Sequence, residues 1–305
     1  MKKIITLLAF VIFTFGFAFP QELQFVVLTV KGSVSLYSGA KAIPVRTGEK
    51  IFTNNKVKVG KKSYLNLVYM DGKTLEVKSP GTYDTGNLIR QVNSKKNSST
   101  KKFTNFVLAE FVKSVDDLGN MKVTGSVERL IKFPIDYAIP NGTNIFNPAV
   151  TFKWFSSAKK SYVFKLADNS GTILYTKELE DTSETINLLQ LKLKSGEIYK
   201  WFVSEGGKEK SFTDTSSFYL MPKHIVSFIK DSINILNKEL RNLDPPTKQI
   251  LLASFFANNG LYIDMMDAYE KAIKLSPDNV IYKKLYAAAL YKAGLKRKAE
   301  LLLNK

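Results

Sequence analysis

The sequence has no cysteine and a single histidine. Without cysteine there is no disulfide framework, no thiol nucleophile and no cysteine-based zinc site. Each domain is then expected to stand on its own hydrophobic core, and anchoring through a lipidated cysteine drops out. The one histidine, His224, sits between Pro222-Lys223 and an apolar helical pattern. It reads as a surface residue at a helix start rather than a catalytic base, which removes histidine-based triads and multi-histidine metal sites. A glycine-rich phosphate loop is also missing, because Gly206-Gly207-Lys208 lacks the spacing. Long apolar runs are scarce. Beyond residue 18 none reaches the ~18–20 residues that span a bilayer, and the longest, Thr104 to Val115, is broken by Glu110 and Lys113. Acidic residues are few, 27 against 45 Lys and Arg, leaving a net charge of +18. The adjacent acids Asp116-Asp117 and Glu178/Glu180/Asp181 are of the type that binds calcium or forms a glycosidase pair, but they read as solvated loops. No cofactor or metal is expected.

What is present begins at the N-terminus. Lys2 and Lys3 precede an almost wholly apolar stretch from Ile4 to Phe17, and Gly16 and Ala18 are small residues at the −3 and −1 positions of a cleavage site. This pattern predicts a secretory signal peptide over residues 1–18, cleaved near Ala18, and an exported product that is periplasmic or extracellular. In that compartment the positive charge does not point to nucleic acid. The polyanions on offer are phospholipid head groups, cell-wall polymers and lipopolysaccharide. The lysines are spread along the chain and cluster at Lys95, Lys96, Lys101 and Lys102. They read mainly as a solvated surface, with contact to an anionic surface through the Lys-rich face as the sharper alternative.

Three modules follow. Residues 22–90 read as all-β, with an apolar strand at Gln24 to Val30 and alternation through Gly32 to Tyr37 and Ser63 to Met70. Asp71-Gly72 gives a hairpin turn, and Pro80-Gly81 closes the run. Residues 91–138 read as a connector: Asn93 to Lys102 holds only Ser, Thr, Asn and Lys, and Phe103 to Val115 has apolar residues near helical spacing. Residues 139–221 form a second β module, with alternation at Val150 to Trp154 and Ser161 to Leu166 and a strong strand at Tyr199 to Val203. Trp154 and Trp201 are expected in its core, against a minority reading as sugar-stacking platforms. Residues 223–305 switch to helical period, with Ile225, Phe228, Ile229, Ile233, Leu236 and Leu240 on one stripe. Pro246 to Asn279 matches a 34-residue helical-hairpin period.

These modules resemble known families. Gly32-Ser33-Val34, Gly48-Glu49-Lys50-Ile51, Lys56-Val57, Ser63 to Leu67 and Asp71 to Val77 are similar to a FecR-type domain, an extracytoplasmic bacterial module. That resemblance implies fold and compartment but not sigma-factor control, since that role needs a cytoplasmic segment and a membrane helix. Trp154, Tyr162 and Tyr199-Lys200-Trp201-Phe202-Val203 resemble the immunoglobulin-like or fibronectin type III group. Leu252, Ala253, Phe256, Gly260, Tyr269, Ala272 and Pro277 resemble a tetratricopeptide unit. A second unit begins at Val280 and keeps Tyr286, Ala287, Leu290, Gly294 and Ala299, whereas Met265 replaces a small residue of the pattern.

The expected fold is therefore multidomain: an N-terminal all-β FecR-like domain, a middle β-sandwich and C-terminal α-helical hairpins. The expected function is a non-catalytic binding or scaffold protein of the cell envelope. The tetratricopeptide-like tail would contact an envelope protein, or the chain a cell-wall polymer. Tyr262, Tyr269, Tyr282 and Lys283 are the candidate contact residues. The alternatives are a carboxylate-based hydrolase of cell-wall glycans and an envelope signalling component.

Overall fold

The computed structural model describes residues 22–94, 99–120, 135–156, 161–205 and 215–303. The leader at residues 1–18 and connector residues 95–98 and 121–134 lie outside them. The described residues hold sixteen strands, confined to the first two thirds of the chain, and seven helices, most of them C-terminal.

The first eight strands are β1 (Leu23–Lys31), β2 (Val34–Ser38), β3 (Lys41–Pro44), β4 (Lys50–Phe52), β5 (Lys56–Val59), β6 (Tyr64–Tyr69), β7 (Thr74–Val77) and β8 (Gly81–Asp84). They form two antiparallel four-stranded sheets, ordered β4-β1-β6-β7 and β3-β2-β5-β8. Alternation sends Phe25, Val27, Leu36, Ile51, Val57, Leu65 and Leu67 into the space between them. A short helix, α1 (Thr85–Asn93), adds Leu88 and Val92 to this core. Its start is fixed by Asp84, whose Oδ1 accepts from the Asn87 backbone N–H at 2.7 Å. Both β8 and α1 lie beyond Pro80 of the Pro80-Gly81 turn expected to close the run of strands.

β1 is buried on both faces. Val26 and Leu28, with Leu23 and Val68, point away from the sandwich and belong to the helical core instead. Its continuous apolar run is the sequence trace of that two-sided burial.

The cover on that outer face is α2 (Ser99–Asn120), whose Val107, Leu108, Phe111, Val112 and Val115 are all buried. Helix α2 begins inside the stretch expected to be a polar linker, at Ser99. Asp116-Asp117 lie on this helix and not in a solvated loop. Asp116 Oδ1 pairs with Lys50 Nζ at 2.8 Å, and Asp117 Oδ2 with Lys292 Nζ at 3.3 Å, so the two acids tie α2 to β4 on one side and the helical tail on the other. The approach to the hairpin turn is close. Gly72 has φ +83°, and a Cβ there would collide with the backbone carbonyl of Asn105.

The second β unit comprises β9 (Ile135–Ile139), β10 (Thr143–Ile145), β11 (Ala149–Ser156), β12 (Tyr162–Asp168), β13 (Ile173–Leu179), β14 (Ser183–Asn187), β15 (Glu197–Glu205) and β16 (Ser216–Leu220). Its sheets are ordered β14-β11-β9 and β10-β16-β15-β12-β13, with β10 and β16 parallel. Phe152, Trp154, Phe164, Trp201 and Phe218 pack edge-on and stacked between them. The edge strand β13 turns Lys177 inward to Glu184 of the opposite sheet, at 2.8 Å, and Tyr175 donates to the same carboxylate at 3.0 Å. An inward charge at a sheet edge discourages pairing with another chain.

The remaining helices are α3 (Lys223–Glu239), α4 (Pro245–Asn258), α5 (Tyr262–Leu275), α6 (Val280–Lys292) and α7 (Lys296–Leu303). Asp244 caps α4, accepting from Thr247 N–H at 3.2 Å. Their core is not private. It is continuous with α2 and with the outer face of β1 and β6. This corrects the expectation that every module carries its own core. A buried polar seam fixes the register of the contact: Thr247 Oγ1 donates to the Leu28 carbonyl at 2.9 Å and lies 3.3 Å from the Tyr282 hydroxyl, and Thr29 donates to Asp244. The middle unit is joined to the same helices. Asn144 N–H donates to the Gly260 carbonyl at 2.8 Å, and Thr143 Oγ1 accepts from Tyr262 N–H at 2.9 Å.

Candidate functional site

The four expected contact residues do not form one surface. Tyr269 is buried and stacks on Tyr286, ring centroids 5.2 Å apart. Burial holds its hydroxyl far above the ordinary phenol range. Tyr282 is buried in the polar seam, and burial pushes its hydroxyl up to about 12. Neither can touch a partner, because each fills the interior at a helix–helix or helix–sheet contact. Tyr262 is half-buried, its backbone bonded to Thr143. Lys283 is half-buried at the start of α6. His224 lies exposed in the first turn of α3. Trp154 and Trp201 are both interior, so neither presents an indole face to a sugar.

What the fold does bring together is a cleft of about 970 Å³ at the junction of sandwich, connector and tail. One wall is the open edge of the first sandwich, where Ile43, Val45 and Phe52 flank the β3–β4 loop. The opposite wall is the α5–α6 turn, with Val280, Ile281 and Lys284, and Val115 of α2 adds to the lining. The loop is held by Gly48 N–H donating to the Val27 carbonyl at 2.8 Å, and Val27 N–H donating to the Glu49 backbone carbonyl at 2.9 Å. Gly48 has φ +83°, and a Cβ there would come within 2.8 Å of Ile281, so the residue is required both for its backbone and for the close approach. Arg46, Lys50 and Lys284 carry positive charge into the lining, against Glu49 and Asp278. Burial raises the Glu49 carboxyl above its usual range, and Arg46 partly offsets this. Lys50 is committed to Asp116. The lining comes from segments over two hundred positions apart. The only local trace in the sequence is the charged turn Arg46-Thr47-Gly48-Glu49-Lys50.

A smaller cleft, of about 270 Å³, separates α5 from β10 and β11. Asp264, Asp267 and Glu270 line it, with Lys153 and Lys298. Asp267 pairs with Lys271 at 2.6 Å, and Glu270 accepts from Lys298 at 3.0 Å and from the Tyr286 hydroxyl at 2.8 Å. Burial pushes the Asp264 carboxyl up to about 6, outweighing its place in the first turn of α5, where the helix dipole favours the charged form. The folded chain thus holds the Asp264 proton more tightly than the unfolded chain. Its favourable contribution is complete below about pH 4 and is lost as pH rises through about 6. Asp264→Asn is therefore expected to be more stable than the parent at pH 7, with the difference vanishing toward about pH 4. Urea midpoints of the two chains across that range measure it. A constant difference at all pH values would remove Asp264 from this role.

Among the described residues no three His, Asp or Glu side chains converge on a metal site, and no helix is long and apolar enough to cross a membrane. The chain matches no protein-family model and no curated protein.

Proposed function

We propose that this chain is a non-catalytic, exported binding or scaffold protein of the bacterial cell envelope, and that the junction cleft is its contact surface. The observation that carries the reading is the cleft itself: an apolar lining with charged groups of both signs, built where the N-terminal sandwich, α2 and the helical tail meet. Apolar concavity with a few charged groups is the usual form of a recognition site. Export is supported by the charged, apolar and small-residue pattern of residues 1–18. The FecR-like, immunoglobulin-like and tetratricopeptide-like resemblances favour extracytoplasmic, partner-holding modules. In this reading the contact lies elsewhere in the tail than the four expected residues. Helix α2 lies along α4 and α6, the helices that open the two repeat-like units, and the exposed turn between α5 and α6 lines the cleft.

The test is retention on purified cell wall and on immobilised envelope protein, comparing the parent with the double variant Arg46→Glu/Lys284→Glu. Both side chains are exposed, so the fold is retained. Retention on one bait is expected to fall about tenfold, as for charge reversal at the rim of an interface. Unchanged retention on both baits places the contact elsewhere.

One observation favours the hydrolase alternative, the protonation-prone Asp264 beside Asp267 and Glu270 in a cleft. Release of soluble glycan from cell wall by the parent, and its loss in Asp264→Asn, would establish that reading in place of the first.

A further inference from the structure

The α5–α6 turn carries an unusual exposed surface. Leu275 ends α5 and Val280 begins α6, and their side chains are 54 % and 59 % exposed. Only Ser276 to Asn279 separates them, with exposed Pro277 between, so both apolar side chains stand at the ends of one exposed turn, the tip of the α5–α6 pair. Lysines flank the tip on both helices: Lys271 and Lys274 near the end of α5, Lys283 and Lys284 at the start of α6. Lys271 is paired with Asp267. Lys274 and Lys284 have no ion-pair partner among the described residues. Arg46 faces the same tip across the cleft.

We infer that this tip docks on an anionic lipid surface, with Leu275 and Val280 entering the interfacial layer and the lysines meeting the head groups. This rests on the junction being the contact surface, and names its partner. Val280 and Lys284 belong to the cleft lining while Leu275 lies outside it, so a soft layer that closes around exposed side chains meets both ends of the turn where a partner seated in the cleft would meet only one. Long lysine stems can lie along that layer while their ammonium groups stay with the phosphates. The charge is complementary. Asp278 is the single acid within the turn, and the whole chain carries +18. Each lysine near a negative surface strengthens attachment, and salt weakens it.

The experiment is co-sedimentation of the chain from Phe19 onward, the expected product of leader cleavage, with phosphatidylcholine vesicles, with and without phosphatidylglycerol, at low and high salt. Binding is expected only to the phosphatidylglycerol vesicles and to fall at high salt. Leu275→Ser/Val280→Ser and Lys274→Glu/Lys284→Glu should each lower partition about tenfold while keeping the parent's thermal melt. A control pair on α3, Phe228→Ser/Ile235→Ser, removes exposed apolar surface elsewhere and should leave partition unchanged. All these chains begin at Phe19, so the apolar leader takes no part in the comparison of neutral with anionic vesicles. Equal binding to neutral vesicles, or tip variants that behave as the parent, overturns the inference. The same proteins are run on cell wall and envelope protein. If the lysine variant loses retention there while no chain binds vesicles, the contact surface stands and the lipid partner falls. If no bait distinguishes the variants, both fall.

Discussion

A chain ending at Pro222 is expected to lose the fold of its first half. Removing α3 to α7 strips the cover from one face of α2 and the part of the cover that the tail adds over β1, leaving Leu23, Val26, Leu28, Val68, Phe111 and Val112 half-covered. Full burial of such a side chain contributes about 1.5–3 kcal/mol. Even partial exposure of the set therefore consumes a large part of the about 5–15 kcal/mol that stabilises a typical domain. The seam is cut as well: the Leu28 carbonyl loses Thr247, and Thr29 loses Asp244. The truncated chain should be largely insoluble, or soluble with a broad melt and strong binding of a hydrophobic dye. Circular dichroism melts and dye fluorescence of the two lengths decide it. A truncated chain that melts cooperatively at the parental temperature would show that the helical tail is only attached to the sandwich.

Trp201→Ala should be the most damaging single substitution in the middle unit. The indole is fully buried against Phe152 and Phe164, with centroids 5.2 and 5.6 Å away. Its Nε1–H donates to the Pro140 carbonyl at 2.7 Å. Deleting such a side chain costs roughly 3–5 kcal/mol. Trp201→Phe keeps most of the apolar volume but leaves the buried Pro140 carbonyl without this donor, a further penalty of about 1–3 kcal/mol. Trp154 is the contrast. It is nearly as buried, but its Nε1 has no hydrogen-bond partner among the described residues. Trp154→Phe should accordingly be tolerated better than Trp201→Phe. Chemical denaturation of the three variants, followed by tyrosine and remaining tryptophan fluorescence, gives the order. Equal costs for the two phenylalanine variants would deny the Pro140 hydrogen bond a role in stability.

Much of this architecture was legible in the residues. Alternation in Ser63 to Met70 and Ser161 to Leu166 needs only the pleat to place one face inward, and Asp71-Gly72 supplies its own turn geometry. The stripe from Ile225 to Leu240 needs only the helical period. Such signals are local, so the order of β and then α elements and the interior position of both tryptophans could be read from the sequence. α1 escaped because it is short and rests on Asp84 and on Leu88 meeting a core assembled from distant strands. The start of α2 escaped because Asn93 to Lys102 has no apolar pattern.

The candidate site could not be read this way. Tyr269 and Tyr282 have the composition of contact residues, since tyrosine is amphipathic and common at interfaces. Only the packing of α4, α5 and α6 against each other and against β1 decides that they face inward. The cleft is farther still from the sequence, because its walls come from the β3–β4 loop, α2 and the α5–α6 turn. The chain by itself determined strands, helices, turns and a strongly basic surface, because each depends on neighbours a few residues away. The tertiary structure alone decided that the outer face of the first sandwich, the connector helix and the tail share one core. Apolar burial is non-directional: Val26, Leu28 and Phe111 must be covered, but nothing in their local pattern says by what.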